Sequence, residues 1–377
     1  MVTYRASKLL MGARKMVARS KLASYNLMLS NEYIWPMDNG IYTILPIGKV
    51  MDKLVTLIEA ELNQIGGLKL TAPILQSKIL WSRTNRWDSM GSELFRLKDR
   101  CQKEYCLQPT AEELFTNLVA ELSYGKRNGC SLMLYQTNYK FRDEMRPKFG
   151  LFRSREFLMN DMYSFDICEE DALETYARVS QAYERILRDL LGLDLYIVQA
   201  DNGLIGGKIS HEYHIPSEHS DSSIYVCQKC KKGILSIFSI EICNVNSFCH
   251  CTDPHLVLIK SMEVAHTFHL GIQYSEQFKA TFDKKYLWMN CFGLGIGRIF
   301  AGSIDQYSKN NNSSIRLPEK IVPFKLAVIP PAKATLSSTE QLKDDLYVDD
   351  RTHFSVGKRM FSAAALGYFF TSILALH

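Results

Sequence analysis

One stretch limits what this chain can fold into more than any other, because it places charges and an aromatic ring around a single turn. Residues 139–144, Tyr-Lys-Phe-Arg-Asp-Glu, form a strand-like run. A loop with Pro147 follows, and Arg153, Phe157 and Asp161 then come at intervals of four residues. The pattern predicts two extended segments with polar groups at the turn between them.

The residue types in this stretch suit the binding of a nucleotide. Guanidinium groups carry a permanent charge and bind phosphate oxygens through two parallel hydrogen bonds. An aromatic face can stack on a base, and a carboxylate can accept a hydrogen bond from an amino group of the base. The alternative interpretation is a solvated charged hairpin, which is what most charge clusters of this kind are.

Length and composition set the broad class of the protein. The chain has 377 residues, so one large and one small domain are expected. Its 46% hydrophobic and 23% charged residues are typical of a globular protein. Ten cysteines are scattered without a secretory signal, so we expect reduced thiols and no disulfide framework. The longest uncharged run, from Ser362 onward, is interrupted by Gly367 and is too short to predict a membrane span.

The N-terminal segment carries most of the formal net charge of +5. Residues 1–31 contain six lysines and arginines and no acidic residue, with serines and apolar residues between them. Such a composition is typical of a mitochondrial transit peptide, which we place at residues 1–24. The alternative is a basic N-terminal helix that belongs to the fold or contacts RNA.

Periodic apolar residues predict the first elements of the body of the protein. Over residues 48–65 the apolar positions fall on one helical face, and Gly66 and Gly67 end the pattern. Residues 68–73, Leu-Lys-Leu-Thr-Ala-Pro, then predict a strand that stops at its proline. Residues 169–191 predict a second amphipathic helix.

A short acidic segment marks a candidate amino-acid pocket. It reads Pro109-Thr110-Ala111-Glu112-Glu113. An amino acid bound as a zwitterion needs a carboxylate near its ammonium group, which Glu112 or Glu113 can supply, and Thr110 adds a hydroxyl. The structural alternative is a capping box, in which Thr110 and Glu113 cap a helix N-terminus. Both roles can hold at once.

Four cysteines form a candidate metal site. Cys227-x-x-Cys230 is followed, nearly twenty residues later, by Cys249-His250-Cys251. Thiolates in a small loop-rich insert, here residues 222–260, are typical zinc ligands. The second pair is Cys-x-Cys and not the usual Cys-x-x-Cys, so unliganded thiols or a ribbon that has lost its metal are the alternatives.

Two later stretches place polar groups on apolar strands. Glu263 and His266 belong to the first, although a single histidine on a strand is usually a hydrogen-bonded core residue. The second, residues 287–298, is an apolar strand with alternating glycines that ends at Arg298. Glycines allow the backbone to approach a nucleotide closely, and an arginine at a helix start adds charge beside the helix dipole. A dinucleotide-binding loop would need glycine where Arg298 stands.

Together these motifs resemble those of the class II aminoacyl-tRNA synthetases. Residues 141–161 resemble their second motif, residues 48–73 the first and residues 287–298 the third. The sequence of residues 141–166 is similar to the bacterial-type prolyl-tRNA synthetases, especially the mitochondrial ones, as is the 109–113 segment. The resemblance runs from about Leu27 to Phe370.

The resemblance implies an α+β fold in which helices flank the antiparallel sheet of a class II synthetase. It implies a catalytic domain at residues 25–322, a homodimer formed through the first motif, and a partial C-terminal α/β anticodon-binding domain at residues 323–377. We expect a strand at 324–330 and a helix at 338–346 in the latter. This domain is shorter than the family's, so we expect either a truncated product or isoform, or impaired anticodon reading. Only 129 residues separate Asp161 from Cys291, so no large editing domain is expected.

The resemblance also implies a reaction. It is the ATP-dependent ligation of L-proline to tRNA(Pro) through a prolyl-adenylate, with Mg²⁺, for translation in the mitochondrial matrix and without a membrane partner. The second hypothesis is a catalytically inactive synthetase-like accessory or tRNA-binding protein. A threonyl specificity is a third, but it needs a zinc-binding cysteine where this chain has the loop from Thr110 to Glu112.

The family's site residues carry over onto matching positions of this chain. The catalytic residues are Arg142 and Arg298. The implied ATP-binding residues are Arg142, Glu144, Arg153, Phe157, Asp161, Glu263 and Arg298. The implied proline-binding residues are Thr110, Glu112, Arg142, Glu212 and His266. Glu212 follows from residues 206–212, Gly-Gly-Lys-Ile-Ser-His-Glu, in which His211 is a further candidate. Ala111 stands where the family usually has histidine, so one hydrogen bond of that loop is not expected.

Overall fold

The computed structural model describes residues 3–9, 22–122, 131–217, 222–236, 249–309, 314–331 and 346–367. The chain divides into two compact units. The first contains Met1–Leu54, Phe149–Leu151 and Phe300–His377, and the second contains Val55–Lys148 and Phe152–Ile299. This division differs from the predicted domain boundary near residue 322, because the N-terminal residues group with the C-terminal ones.

The strands are β1 (Thr3–Arg5), β2 (Ile34–Asp38), β3 (Ile41–Ile44), β4 (Leu68–Lys69), β5 (Leu75–Ser77), β6 (Arg96–Lys98), β7 (Glu104–Leu107), β8 (Leu132–Phe141), β9 (Glu156–Asp166), β10 (Tyr196–Gln199), β11 (Ile209–Pro216), β12 (Ser222–Cys227), β13 (Lys232–Leu235), β14 (Leu256–Gly271), β15 (Thr281–Phe282), β16 (Lys285–Tyr286), β17 (Trp288–Gly295), β18 (Leu326–Val328) and β19 (Leu346–Val348).

The helices are α1 (Ala6–Leu9), α2 (Ala23–Ser30), α3 (Met51–Gln64), α4 (Lys78–Ser82), α5 (Arg86–Ser89), α6 (Glu112–Glu121), α7 (Glu169–Glu184), α8 (Gln273–Phe278), α9 (Ile296–Tyr307) and α10 (Val356–Ala365). A 3₁₀ turn at Pro46–Val50 precedes α3, and a π-helical turn at Arg185–Leu190 follows α7. Among the described residues, no helix has both the length and the apolar character needed to cross a membrane.

A nine-stranded sheet forms the centre of the second unit, in the order β11-β10-β13-β12-β14-β17-β9-β8-β4. Four of its strands, β14, β17, β9 and β8, pair antiparallel, as the resemblance implied. One face of β17 packs against α7, where the Tyr176 and Tyr183 rings lie 5.8 and 6.3 Å from the ring of Phe292. The amphipathic pattern over residues 169–191 therefore predicted this helix correctly.

The other predicted elements differ from the structure mainly at their ends. Leu54, Ile58 and Leu62 of α3 are fully buried, and the helix is followed by Gly66 at φ +91°, a conformation that glycine adopts without strain. The strand predicted over residues 68–73 is shorter, because its pairing with β8 covers Leu68 and Lys69 and ends at the N–H of Leu70, which donates to the carbonyl of Tyr135.

The first unit contains a three-stranded parallel sheet, β1-β19-β18. Ser7 donates a hydrogen bond of 2.6 Å to the Asp350 carboxylate, so residues 3–9 take part in this fold. That arrangement fits the alternative interpretation of the basic N-terminus, while the transit peptide at residues 1–24 stays a prediction. The strand predicted at 324–330 is the shorter β18, and the helix predicted at 338–346 lies almost wholly outside the described residues.

Candidate active site

The turn between β8 and β9 carries the first candidate residues. Arg142 follows β8, and its backbone N–H donates to the carbonyl oxygen of Arg155 at 2.9 Å. Its guanidinium lies 5.3 Å from the centre of the Phe157 ring, and its Nη2 lies 3.4 Å from the carbonyl oxygen of Pro109. Burial lowers the pKa of Arg142, and the positive charge of Arg298 lowers it further. Arg142 therefore lies beside the Pro109 loop and within the field of a second arginine.

Arg298 lies in the first turn of α9, where the sequence predicted a helix start. Its Nε donates to the carbonyl oxygen of Phe152 at 3.0 Å, and its Nη1 donates to Oε2 of Glu263 at 2.8 Å. These contacts hold the guanidinium within electrostatic range of Arg142, whose pKa its charge lowers. Two like charges within range of each other create a positive potential that suits a polyphosphate anion.

Arg153 and Glu144 form an ion pair across the same turn. Arg153 Nε is 2.8 Å from Glu144 Oε2, and the backbone N–H of Arg146 donates to Oε1 at 3.2 Å. Burial raises the pKa of Glu144, but the hydrogen bonds from Arg153 and Arg146 and the charge of Arg298 lower it by more. The structure thus links the arginines at 142, 153 and 298, and their joint contact with a triphosphate stays a prediction.

A β-bulge determines which residues of β14 face the site. Tyr213 of β11 pairs with Ala265, but the next residue, His214, pairs with Glu263. Val264 is therefore an extra residue in β14. His266 pairs with Glu212 and lies three positions after Glu263, so regular alternation would place Glu263 and His266 on opposite faces of the sheet. The bulge places them on the same face.

His266 makes hydrogen bonds through both ring nitrogens. Nδ1 lies 3.1 Å from Glu263 Oε1, and Nε2 lies 2.6 Å from the Ser210 hydroxyl. Burial raises the pKa of Glu263, but the charge of Arg298 and the hydrogen bond with His266 outweigh burial and lower it. Glu263 therefore connects the arginine of α9 to the histidine of β14.

Glu212 and His211 face opposite sides of the sheet. Glu212 Oε2 is 2.6 Å from Nε2 of the buried His214, and its Oε1 is 3.8 Å from His266 Nδ1. His211 contacts the hydroxyl of Tyr176 on α7 at 2.7 Å. Of the two adjacent candidates, Glu212 is the one on the face of His266.

The Pro109–Glu113 segment is held by a buried arginine. Nη1 of Arg86 is 2.9 Å from Glu112 Oε2 and 3.1 Å from Glu113 Oε1. The Thr110 hydroxyl lies 2.8 Å from both oxygens of Glu112. The predicted capping box is wrong, because α6 begins at Glu112 and the Glu113 carboxylate pairs with Arg86 and the Thr84 hydroxyl.

Burial and the ion pair with Arg86 shift the pKa values of Glu112 and Glu113 in opposite directions. Burial raises the pKa of Glu112, but the charge and hydrogen bond of Arg86 outweigh it, so the pKa is lowered. Burial keeps the pKa of Glu113 raised despite Arg86, and the charge of Glu112 adds to the increase. Glu112 is therefore the carboxylate that stays ionised beside Thr110.

Asp161 lies in a second buried network beneath the same segment. Its Oδ2 accepts hydrogen bonds from Lys140 Nζ at 2.8 Å and from the Tyr163 hydroxyl at 2.9 Å. Tyr163 in turn accepts a hydrogen bond from the backbone N–H of Ala111 at 2.8 Å. Asp161 is 1% exposed, so this geometry favours support of the pocket floor over direct contact with ATP.

Sequence reasoning missed several residues of the site. Arg86, Lys140, Tyr163 and His214 form its buried hydrogen bonds, and Cys291 lies 3.2 Å from Glu112 Oε1. Arg86, Lys140 and Cys291 have partners far away in sequence, so no local pattern reveals them. Tyr163 and His214 instead bond to Asp161 and Glu212, two residues away on the same strand, a spacing that places both side chains on one face.

The four cysteines lie together in a separate cluster. The sulfur atoms of Cys227, Cys230, Cys249 and Cys251 all lie within 4.8 Å of one another. The spacing of the two pairs therefore predicted their convergence correctly.

Comparisons with known proteins agree with this geometry. Residues 95–307 match the model of the "tRNA synthetase class II core domain (G, H, P, S and T)". The chain also resembles a prolyl-tRNA synthetase structure from Cryptosporidium parvum, solved with halofuginone and AMPPNP. That likeness has a TM-score of 0.72 and 16% identity and covers 97% of this chain and 71% of the other. The chain belongs to the class II aminoacyl-tRNA synthetases.

Sequence relatives define the family within that class. The "Probable proline--tRNA ligase, mitochondrial" of Homo sapiens is 38% identical over 372 residues, which cover 93% of this chain and 77% of the relative. The protein of the same name from Schizosaccharomyces pombe is 33% identical over 363 residues, covering 92% and 84%. The chain is a member of the prolyl-tRNA synthetase family, and the predicted resemblance is confirmed.

Proposed function

We propose that this chain ligates L-proline to tRNA(Pro) with ATP in the mitochondrial matrix. Its relatives named mitochondrial support a mitochondrial location. The observation that carries the proposal is the position of Arg142. Its Nη2 lies 3.4 Å from the Pro109 carbonyl oxygen, and the positive charge of Arg298 lowers its pKa. A guanidinium in that position can contact an amino acid and a nucleotide at once.

The ATP molecule is assigned to the arginine-rich side of the site. Arg142 binds the α-phosphate, and Arg153 and Arg298 bind the β- and γ-phosphates, since guanidinium groups suit phosphate oxygens. Glu144 and Phe157 hold the adenine, as the family resemblance implies. Proline lies between Arg142 and the segment that contains Thr110 and Glu112, with Glu212 and His266 on the β11–β14 side.

The reaction needs charge stabilisation more than a protein nucleophile. The carboxylate of proline attacks the α-phosphorus in line, and pyrophosphate leaves with the electrons of the broken P–O bond. A 3′-terminal hydroxyl of the tRNA then attacks the acyl carbon, and AMP leaves. Arg142 and Arg298 stabilise the negative charge that builds up on the phosphoryl oxygens.

Glu263 is our candidate for the residue that faces Mg²⁺. This cation binds one or two carboxylates together with phosphate oxygens. The side chain of Glu263 is 31% exposed and that of Glu212 only 15%, so Glu263 is the more accessible carboxylate. Mg²⁺ held there would neutralise charge on the phosphates beside Arg298.

We further propose that this chain does not proofread in cis. The described residues between β11 and β14 form the short hairpin of β12 and β13, which is far smaller than a domain. Misactivated alanine would therefore reach the tRNA unless another protein removes it.

ATP–pyrophosphate exchange tests the proposed function. Measured separately with each of the twenty amino acids, exchange should be strongest with proline, and charging of mitochondrial tRNA should follow. Strongest exchange with threonine would support the third hypothesis. Absence of exchange with every amino acid, from protein that is folded by circular dichroism, would favour the inactive accessory protein. Exchange without charging would mean that the catalytic core works but tRNA recognition does not.

We propose that two copies of the chain associate through the segment after α3. β4 is the edge strand of the large sheet, and Leu68 on it is 54% exposed. An exposed apolar edge strand favours pairing with a second chain. We expect the unmodified chain to be a dimer by light scattering, and Leu68→Asp to shift it toward the monomer. Leu258→Asp is the matched control, since Leu258 on β14 is 55% exposed. A monomeric unmodified chain, or a Leu68→Asp dimer as strong as the original, would contradict the proposal.

A further inference from the structure

We propose that Cys227, Cys230, Cys249 and Cys251 bind one structural zinc ion. The proposal does not depend on the proposed reaction, because it concerns the insert between β11 and β14. It requires that the sulfurs are spaced as tetrahedral ligands and that the chain holds them there.

The sulfur separations fit a tetrahedral metal. A zinc–sulfur bond of about 2.3 Å places tetrahedral ligands about 3.8 Å apart. The sulfurs of Cys227 and Cys251 are 3.9 Å apart, and those of Cys230 and Cys249 are 3.7 Å apart. Both separations far exceed the roughly 2.05 Å of a disulfide bond. The four sulfurs are thus spaced as the ligands of one ion.

Secondary structure holds the two pairs against each other. Cys227 is the last residue of β12, and Cys230 lies in the turn before β13. That turn is closed by the N–H of Lys231, which donates to the carbonyl of Cys227 at 2.9 Å. The N–H of Gln228 donates to the carbonyl of His255 at 2.9 Å, which ties the turn to the segment that precedes β14.

Backbone donors and one ion pair surround the cluster. The backbone N–H groups of Cys230 and Lys229 donate hydrogen bonds to the sulfur of Cys227, and such donors stabilise thiolate ligands. Lys229 forms an ion pair of 3.0 Å with Asp253 across the two loops. This pair is a second link between the two segments that carry the cysteines.

The main alternative is a set of thiols packed as small apolar groups. Cys227 and Cys249 are buried beside Ile234 in such a cluster, but Cys230 and Cys251 are only partly buried. Apolar packing does not require four sulfurs within mutual reach. His250 is exposed and does not belong to the convergent set among the described residues, so we assign the site as four thiolates.

Metal analysis of the full chain tests this proposal. Protein purified under reducing conditions with added zinc should contain about one zinc ion per chain. The Cys230→Ser/Cys249→Ser variant should lose it and should melt at a lower temperature. Pyrophosphate exchange per folded molecule should stay near that of the unmodified chain. Replacement with Co²⁺ should produce the thiolate-to-metal charge-transfer absorption of a four-sulfur site, which reports on the unmodified chain even if the variant does not fold.

Two controls identify the ligands. His250→Ala changes the residue between two ligands, and Cys101→Ser removes an exposed thiol outside the cluster. Both should keep the zinc and the cobalt spectrum. Zinc at background level in the unmodified chain, zinc retained by the double variant, loss of zinc in His250→Ala, or a mass lower by four hydrogens from two disulfides would each overturn the proposal.

Discussion

Replacing Arg142 with alanine is expected to slow prolyl-adenylate formation by about 100- to 1000-fold, the usual effect of removing one donor that stabilises transition-state charge. The side chain lies between the carbonyl of Pro109 and the field of Arg298. On the proposed function, its loss removes both a contact with the substrate and one of the two positive charges assigned to the phosphates. The measurement is the rate of ATP–pyrophosphate exchange with saturating proline.

Two further variants separate charge from geometry at this position. Arg142→Lys keeps the charge but lacks the planar fork, so it should recover only part of the rate. Arg178→Ala is the matched control, because Arg178 lies on α7 with its side chain 40% exposed and pairs with Glu174. Exchange that stays nearly unchanged in Arg142→Ala would remove this residue from the catalytic machinery.

Replacing Arg86 with leucine is expected to lower the free energy of unfolding by about 3–5 kcal/mol, since it leaves buried carboxylates without their cation. Arg86 is 4% exposed, and Glu112 and Glu113 are fully buried. The substitution should also reduce kcat/KM for proline by up to about 100-fold, because Glu112 would lose the group that positions it. Urea unfolding and exchange kinetics measure the two effects.

The pH dependence of this variant has a defined sign. In the unmodified chain the lowered pKa of Glu112 contributes stability above the unfolded pKa, and this contribution is lost as the pH falls. The raised pKa of Glu113 contributes stability at low pH, and that contribution is lost as the pH rises. Without Arg86, burial raises the folded-state pKa of both carboxyl groups above the unfolded value, so the folded state binds more protons than the unfolded state. The stability of Arg86→Leu should therefore fall as pH rises from 5 to 8.

Arg83→Leu provides the control for that experiment. Arg83 is exposed and donates to Asn117 Oδ1 at 3.0 Å, and exposed polar contacts contribute little to stability. We expect a change of less than about 1 kcal/mol with no new pH dependence. A loss in Arg86→Leu that is equally small would show that the buried triad does not hold the pocket.

Local sequence patterns predicted the elements that depend on neighbouring residues. The amphipathic helix after residue 169 and the helix start at Arg298 both follow from spacing along the chain. The ends of elements were less predictable, because pairing partners decide them. The strand predicted over 68–73 pairs at Leu68 and Lys69 and ends after the hydrogen bond of the Leu70 N–H.

Buried charge pairs explain most of what sequence reasoning missed in the site. Lys140 pairs with Asp161, a residue we had expected to contact ATP. Arg86 pairs with Glu113, which removes the capping box inferred from Thr110. Contact between Asp161 and ATP stays a prediction, whereas the capping box is wrong. Both cases have one cause: the sequence shows that a charged residue is present but does not show whether its partner is a ligand or another side chain.

The bulge at Val264 has a consequence for how this protein tolerates insertions and deletions. The extra residue shifts the alternation of side chains between the two halves of β14. The side chains before the bulge and those after it, which include His266, are therefore oriented independently. Lengthening the segment between Ser236 and Cys249 should leave the histidine correctly oriented. Removing Val264 alone should restore regular alternation, with Glu263 two positions from His266 and still on its face of the sheet.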